Sequence, residues 1–306
     1  MEAHASQCAG RPGVFRAGHG GLALCAAGDA PVTVNGEDVA ATLAQLRARV
    51  AELEAQRPAV PPHVFPRSLW LHSLDGWEAR AFWDIQQVQG DLVLQLAPNQ
   101  DVATARAAFG QITHIHGSFF LYDPAVGLLE AFGNLTTVGW AMYVGSGSEP
   151  VSFAPLRALE VAGSLSLQSQ PHATDMGPPG EHWRLRQVHG RLSASNLGID
   201  RLPLNELSSV GAMYINNNPN LSHIAVGNVT TIAGLQIYRN NRLTHLDGFS
   251  SVTAITGGSG LAIYDNANLT SIAGLRNLRR IVLRINIHDK EHGKQSAVRP
   301  RNSRKN

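Results

Sequence analysis

At 306 residues and 43% hydrophobic content, the chain can bury a sizeable core as one large domain or two modest ones, which excludes a wholly disordered protein. Charged residues make up 16%, against 30 glycines and 16 prolines, the balance of a turn-rich, strand-rich chain and not of a helical bundle. The net +2 is uneven: residues 279 to 306 carry nine Lys or Arg against Asp289 and Glu291, a local +7 that leaves −5 for everything before them.

Residues 1–36 are rich in Gly and Ala without sustained periodicity, and are expected to be disordered. They hold both cysteines, Cys8 and Cys25, so neither can staple the later elements. No stretch reaches the roughly 18 apolar residues that cross a bilayer, and Gly21 to Ala27 is a very short apolar run for a signal peptide. No membrane span is expected.

Residues 37–57 favour helix. Val39, Leu43, Leu46, Val50 and Leu53 are spaced 4, 3, 4 and 3 apart, a heptad seam that suits either a short coiled coil, and hence a homo-oligomer, or an amphipathic helix docked on its own domain. Residues 58–66 contain Pro58, Pro61, Pro62 and Pro66 and form a semi-rigid linker. At the far end, 288–306 is a basic tail without aromatics, expected to be solvated; nucleic acid is not the expected partner.

Between linker and tail the chain repeats itself. Val88-Gln-Gly-Asp-Leu-Val-Leu94 recurs as blocks starting at Ile115, Val138, Val161, Val188, Val210, Ile232 and Ile255, with a worn copy at Ile281; the starts lie 27, 23, 23, 27, 22, 22, 23 and 26 residues apart. That period suits one turn of a solenoid and is too short for a four-stranded propeller blade. Apolar residues alternate within each block, as in Leu92 and Leu94, Phe119 and Leu121, Met142 and Val144, or Met213 and Ile215. These predict inward columns of parallel strands. Gly before each strand predicts a bend, and Asn-bearing turns such as Asn216 to Leu221 predict amides that satisfy corner backbone groups.

The fold expected over 67–287 is thus mainly β, a right-handed parallel β-helix or solenoid of about 8 to 9 coils, with Leu69 to Phe82 as a capping segment. The pattern Val/Ile-x-Gly-x-Leu-x-Ile, followed by an Asn turn and Leu-x-x-Ile/Leu, resembles the receptor L-domain, a leucine-rich-repeat-like β-helix of receptor ectodomains and of surface proteins. The best copies are Val210 to Ile224, Ile232 to Leu246 and Ile255 to Ile272. The resemblance implies a binding role at a cell surface or in secretion, but the framing cysteines of the receptor domains are absent here and no family binding residue transfers.

The positions alternate to the inward columns collect all five tyrosines of the chain, Tyr122, Tyr143, Tyr214, Tyr238 and Tyr264, together with Phe120. Such a face suits a protein or glycan ligand; tyrosines also stabilise sheets as cross-strand ladders. Asn134, Asn220, Asn228 and Asn268 stand in Asn-x-Ser/Thr sequons, although the repeat consensus generates such triplets by itself. His114 and His116 flank Ile115 with no third ligand nearby in sequence, so no metal is expected, and no cofactor motif occurs.

The outward column Val93, Phe120, Tyr143, Ser166, Ser193, Tyr214, Gln236, Ala262 holds no carboxylate pair, and no nucleophile elbow or His-Glu-x-x-His occurs. The expected function is non-enzymatic recognition or adhesion. A structural scaffold or cell-wall component without a discrete ligand is the alternative, and a polysaccharide-active enzyme the third reading.

Overall fold

The computed structural model describes residues 63 to 282 except 75–83, 97–100, 125, 146, 148, 174 and 179, together with 13–16, 22–25, 33–34, 37–56 and 285–288. The chain divides into two compact units, Met1–Ala59 and Val60–Asn306.

In the first unit, Gly13–Arg16 pairs antiparallel with Leu22–Cys25, and Thr33–Val34 with Glu37–Asp38. Parts of the stretch expected to lack structure are therefore paired as short antiparallel strands. Helix α1 spans Val39–Gln56. Its Ala, Leu, Arg, Glu and Gln content favours helix, and Pro58 disfavours helical backbone at the residue before it. Cys8, the linker residues 57–62 and the tail residues 289–306 lie outside the described residues.

The second unit is mainly β, built on a sheet of 14 strands. Each pairing within it is parallel, and each strand's neighbours come from one repeat earlier and one repeat later. The main strands run Leu69–Leu71, Leu92–Leu94, Phe119–Tyr122, Thr137–Gly145, Val161–Gln170, Gln187–Leu197, Ser209–Asn216, Thr231–Tyr238, Ala254–Tyr264 and Ile285–His288. Leu69–Leu71 pairs with Leu92–Leu94, and Val64–Phe65 with Gln87–Val88. The expected capping segment thus begins with a strand of the sheet itself.

Each predicted inward pair is buried, from Leu92 and Leu94 through Met213 and Ile215 to Leu261 and Ile263. One register differs from the sequence alignment: Val138 and Val188 both pair with Ala162, not Val161. The corner after Ala162 is one residue shorter than the one after Val138, so a bulge brings Leu165 back beside Met142. Successive repeats approach closely at these corners. A Cβ on Gly163 would overlap the carbonyl oxygens of Gly139 and Trp140, which restricts the position to glycine.

At the other end of the strands the backbone turns through a left-handed residue, at Asp123, Ser169, Asn196, Asn217, Arg239 and Asp265. The next residue points inward, giving a column that includes Gln170, Leu197, Asn218, Asn240 and Asn266, all buried. The three asparagines form a ladder. Asn240 Nδ2 donates to the carbonyls of Ile215 (2.9 Å) and Tyr238 (3.1 Å), and Asn266 Nδ2 to those of Ile237 (3.0 Å) and Tyr264 (3.1 Å). This is the corner satisfaction that the asparagine turns predict.

The return segments include the parallel pair Arg201–Leu204 and His223–Val226, short 3-10 turns, and a helix at Val102–Phe109. Asp101 caps that helix, accepting from the backbone N–H of Ala103 and Thr104, both at 3.1 Å. Phe109 stacks on Phe132 with ring centroids 5.5 Å apart. Among the described residues no helix is long and apolar enough to cross a membrane.

Candidate binding face

Because the main strands alternate, the residues between the buried columns share the outer surface of the sheet. Register places Trp70, Val93, Phe120, Tyr143, Ser166, Ser193, Tyr214, Gln236 and Ala262 in one outward column. A second column holds Tyr122, Gly145, Gln168, Ser195, Asn216, Tyr238 and Tyr264. All six predicted aromatic positions therefore lie on one face. Neither column contains Asp, Glu, Lys or Arg among these residues.

The aromatics gather in two groups. Phe120 and Tyr122 stack with centroids 6.1 Å apart and planes 5° from parallel, and Tyr122 tilts against Tyr143 at 5.4 Å. The Tyr143 ring leans over Gly145, where a Cβ would stand 2.6 Å from the hydroxyl oxygen. Four inter-strand steps from Tyr143, on the order of 19 Å at the usual strand spacing, Tyr238 and Tyr264 stack at 4.7 Å and 4°. Burial, followed by the neighbouring Tyr238, holds the Tyr264 hydroxyl above the ordinary tyrosine pKa.

Between the groups the surface is polar and small. Gln168 Nε2 donates to Ser166 Oγ at 2.6 Å, and Ser195 Oγ to Asn216 Oδ1 at 2.5 Å. Tyr214 stands alone in this stretch and is held from two sides. The Arg191 guanidinium lies 4.3 Å above its ring, and its hydroxyl shares a 2.6 Å hydrogen bond with Ser259 from the corner of a later strand.

Trp70 is the residue that sequence reasoning missed. It is 66% exposed in the first rung of the outward column, next to Val93 and then Phe120, and extends the aromatic surface by two strands. The alternation Leu69-Trp70-Leu71 is its only signal. Trp140, 74% exposed at a corner, is not on the paired columns, and Trp183 is buried.

The other predicted positions do not converge on this face. Asn134, Asn220, Asn228 and Asn268 are all exposed. Asn134 Nδ2 donates to the Gly110 carbonyl at 2.7 Å and Asn220 Nδ2 to that of Gly198 at 3.3 Å, so both amides tie one repeat to the preceding one. The rings of His114 and His116 lie 6.5 Å apart; among the described residues no group of three His, Cys, Asp or Glu is placed to hold a metal. Leu43, Leu46 and Val50 are exposed on α1, while the side chains of Val39 and Leu53 lie outside the described set.

A separate cleft of about 530 Å³ sits on the return segments, lined by Arg157, Glu181, His182, Arg184 and Glu206 among others. Arg157 pairs with Glu181 at 2.9 Å, and Glu206 with Arg186 at 3.2 Å, so this charged lining braces neighbouring repeats. Comparison with protein-family models, with curated proteins and with solved structures finds no match for the chain.

Proposed function

We propose that the repeats wind as a right-handed, L-domain-like parallel β-solenoid, and that the protein is a non-enzymatic recognition or adhesion protein whose outer sheet face takes a protein or glycan ligand. The observation that carries this reading is the aromatic surface on which Trp70 is exposed and Phe120, Tyr122 and Tyr143 are half-buried, on a sheet that also presents Tyr214, Tyr238 and Tyr264. Tyrosine and tryptophan offer large contact area with a polar tip and lose little rotamer entropy on binding. The hydroxyl and amide groups between them supply directional hydrogen bonds, and the Arg191 guanidinium over Tyr214 is a cation that borders these columns.

The Tyr238–Tyr264 stack also supports the scaffold reading, since paired rings stabilise adjacent strands whether or not anything binds. An acid–base catalytic pair has no carboxylates to draw on in these columns.

The test is capture by the full chain from arrays of neutral polysaccharides, charged polysaccharides and surface proteins. Capture should fall at least tenfold, on the order of one hot-spot contact, in Tyr143→Ser and Tyr214→Ser, and stay unchanged in the off-face variant Trp140→Ser. Capture that survives both tyrosine changes removes the face from the account.

A further inference from the structure

Helix α1 presents an apolar seam that is left open among the described residues: Leu43, Leu46 and Val50 are 48, 57 and 53% exposed. With Val39 and Leu53 they occupy alternating heptad core positions, Leu43 and Val50 as a, and Val39, Leu46 and Leu53 as d. An isolated helix of this length is marginal in water, and a half-exposed aliphatic stripe on it is a cost until another surface covers it.

The charges beside the seam identify that surface. In this frame Arg49 stands at g and residue 54, a glutamate, at the following e. When two such helices lie parallel and in register, g of one faces the next e of the other, so Arg49 meets Glu54 of the second copy twice, once on each side. The remaining g–e′ pair, Thr42 with Arg47, is neutral in sign. An overlapping antiparallel pair instead sets g against g and e against e, bringing Arg49 towards its own counterpart and Arg47 towards its own. The intrahelical pair Arg49–Glu52 at 2.5 Å is exposed at both ends, which leaves Arg49 free to exchange partners at little cost.

We infer that α1 is a self-association helix that binds further copies of itself in parallel and in register. The occupant of the seam is the same seam of another chain, and the specificity element is the Arg49–Glu54 cross-pair. The inference is independent of what the sheet face binds. It implies that each assembly carries several sheet-bearing units, which raises avidity for any repeated target.

Light scattering on the full chain over a concentration series tests it. The expected result is a concentration-dependent oligomer, lost in Leu46→Lys. Arg49→Glu should raise the dissociation constant by roughly tenfold, as two attractive pairs become two repulsive ones. The swap Arg49→Glu with Glu54→Arg should restore it. These surface changes leave the seam and helix propensity intact, so they read orientation and not folding. A wild-type chain that stays monomeric, an assembly that survives Leu46→Lys, or an Arg49→Glu change that is neutral or strengthening each overturns the inference.

Discussion

Asn240 Oδ1 accepts both the backbone N–H and the side-chain Nδ2 of Asn218, each at 3.1 Å, across a boundary between repeats. Asn240 in turn donates its own backbone N–H to Asn266 Oδ1 at 2.9 Å. One fully buried amide thus satisfies groups from three repeats.

Asn240→Ala leaves the Asn218 N–H and the Ile215 carbonyl without these partners in a site closed to water. We expect a loss of about 2 to 4 kcal/mol in chemical denaturation. An exposed asparagine such as Asn241 is the control, and its change to Ala should be nearly silent. Equal effects at the two positions would mean that the ladder does not stabilise the repeats.

Gly145 lies under the Tyr143 ring and beside the backbone carbonyl of Gln168, which a Cβ would approach to 2.8 Å. Gly145→Val must therefore shift both strand and ring, costing about 1 to 3 kcal/mol. It should also separate Tyr122 from Tyr143 on the binding face. Unchanged near-ultraviolet circular dichroism in this variant would contradict the observed ring packing.

Asp101 ionises below the ordinary carboxylate range, chiefly because the Thr104 hydroxyl donates to it, with the backbone N–H groups of Ala103 and Thr104 adding to the effect. Its folded pKa lies below its unfolded value, so its stabilisation is complete above the unfolded value and is lost as pH falls through the folded one. Asp101→Ala should lower the thermal midpoint at neutral pH, and the gap from wild type should close in acid. A gap that persists unchanged at low pH would assign the effect to something other than the carboxylate.

The sheet was legible in the sequence because inward and outward positions alternate in every repeat, and all six outward aromatics stand where that alternation puts them. The shift from Val161 to Ala162 was not legible, since both residues are small and apolar and only the corner length decides between them. Trp70 was obscured because its strand has three residues, follows a proline-rich stretch, and is preceded by Arg67 where later repeats carry glycine. The contacts of Tyr214 with Arg191 and Ser259 join different repeats, and no local pattern encodes them.

The most direct test of the recognition reading is hydroxyl-radical footprinting of the full chain with and without its captured ligand. Protection confined to Trp70, Phe120, Tyr122, Tyr143, Tyr214, Tyr238 and Tyr264, with Trp140 equally reactive in both states, is the result this account predicts. Protection at His182 and Trp140 with the sheet tyrosines unchanged would place the ligand away from the aromatic columns and contradict it.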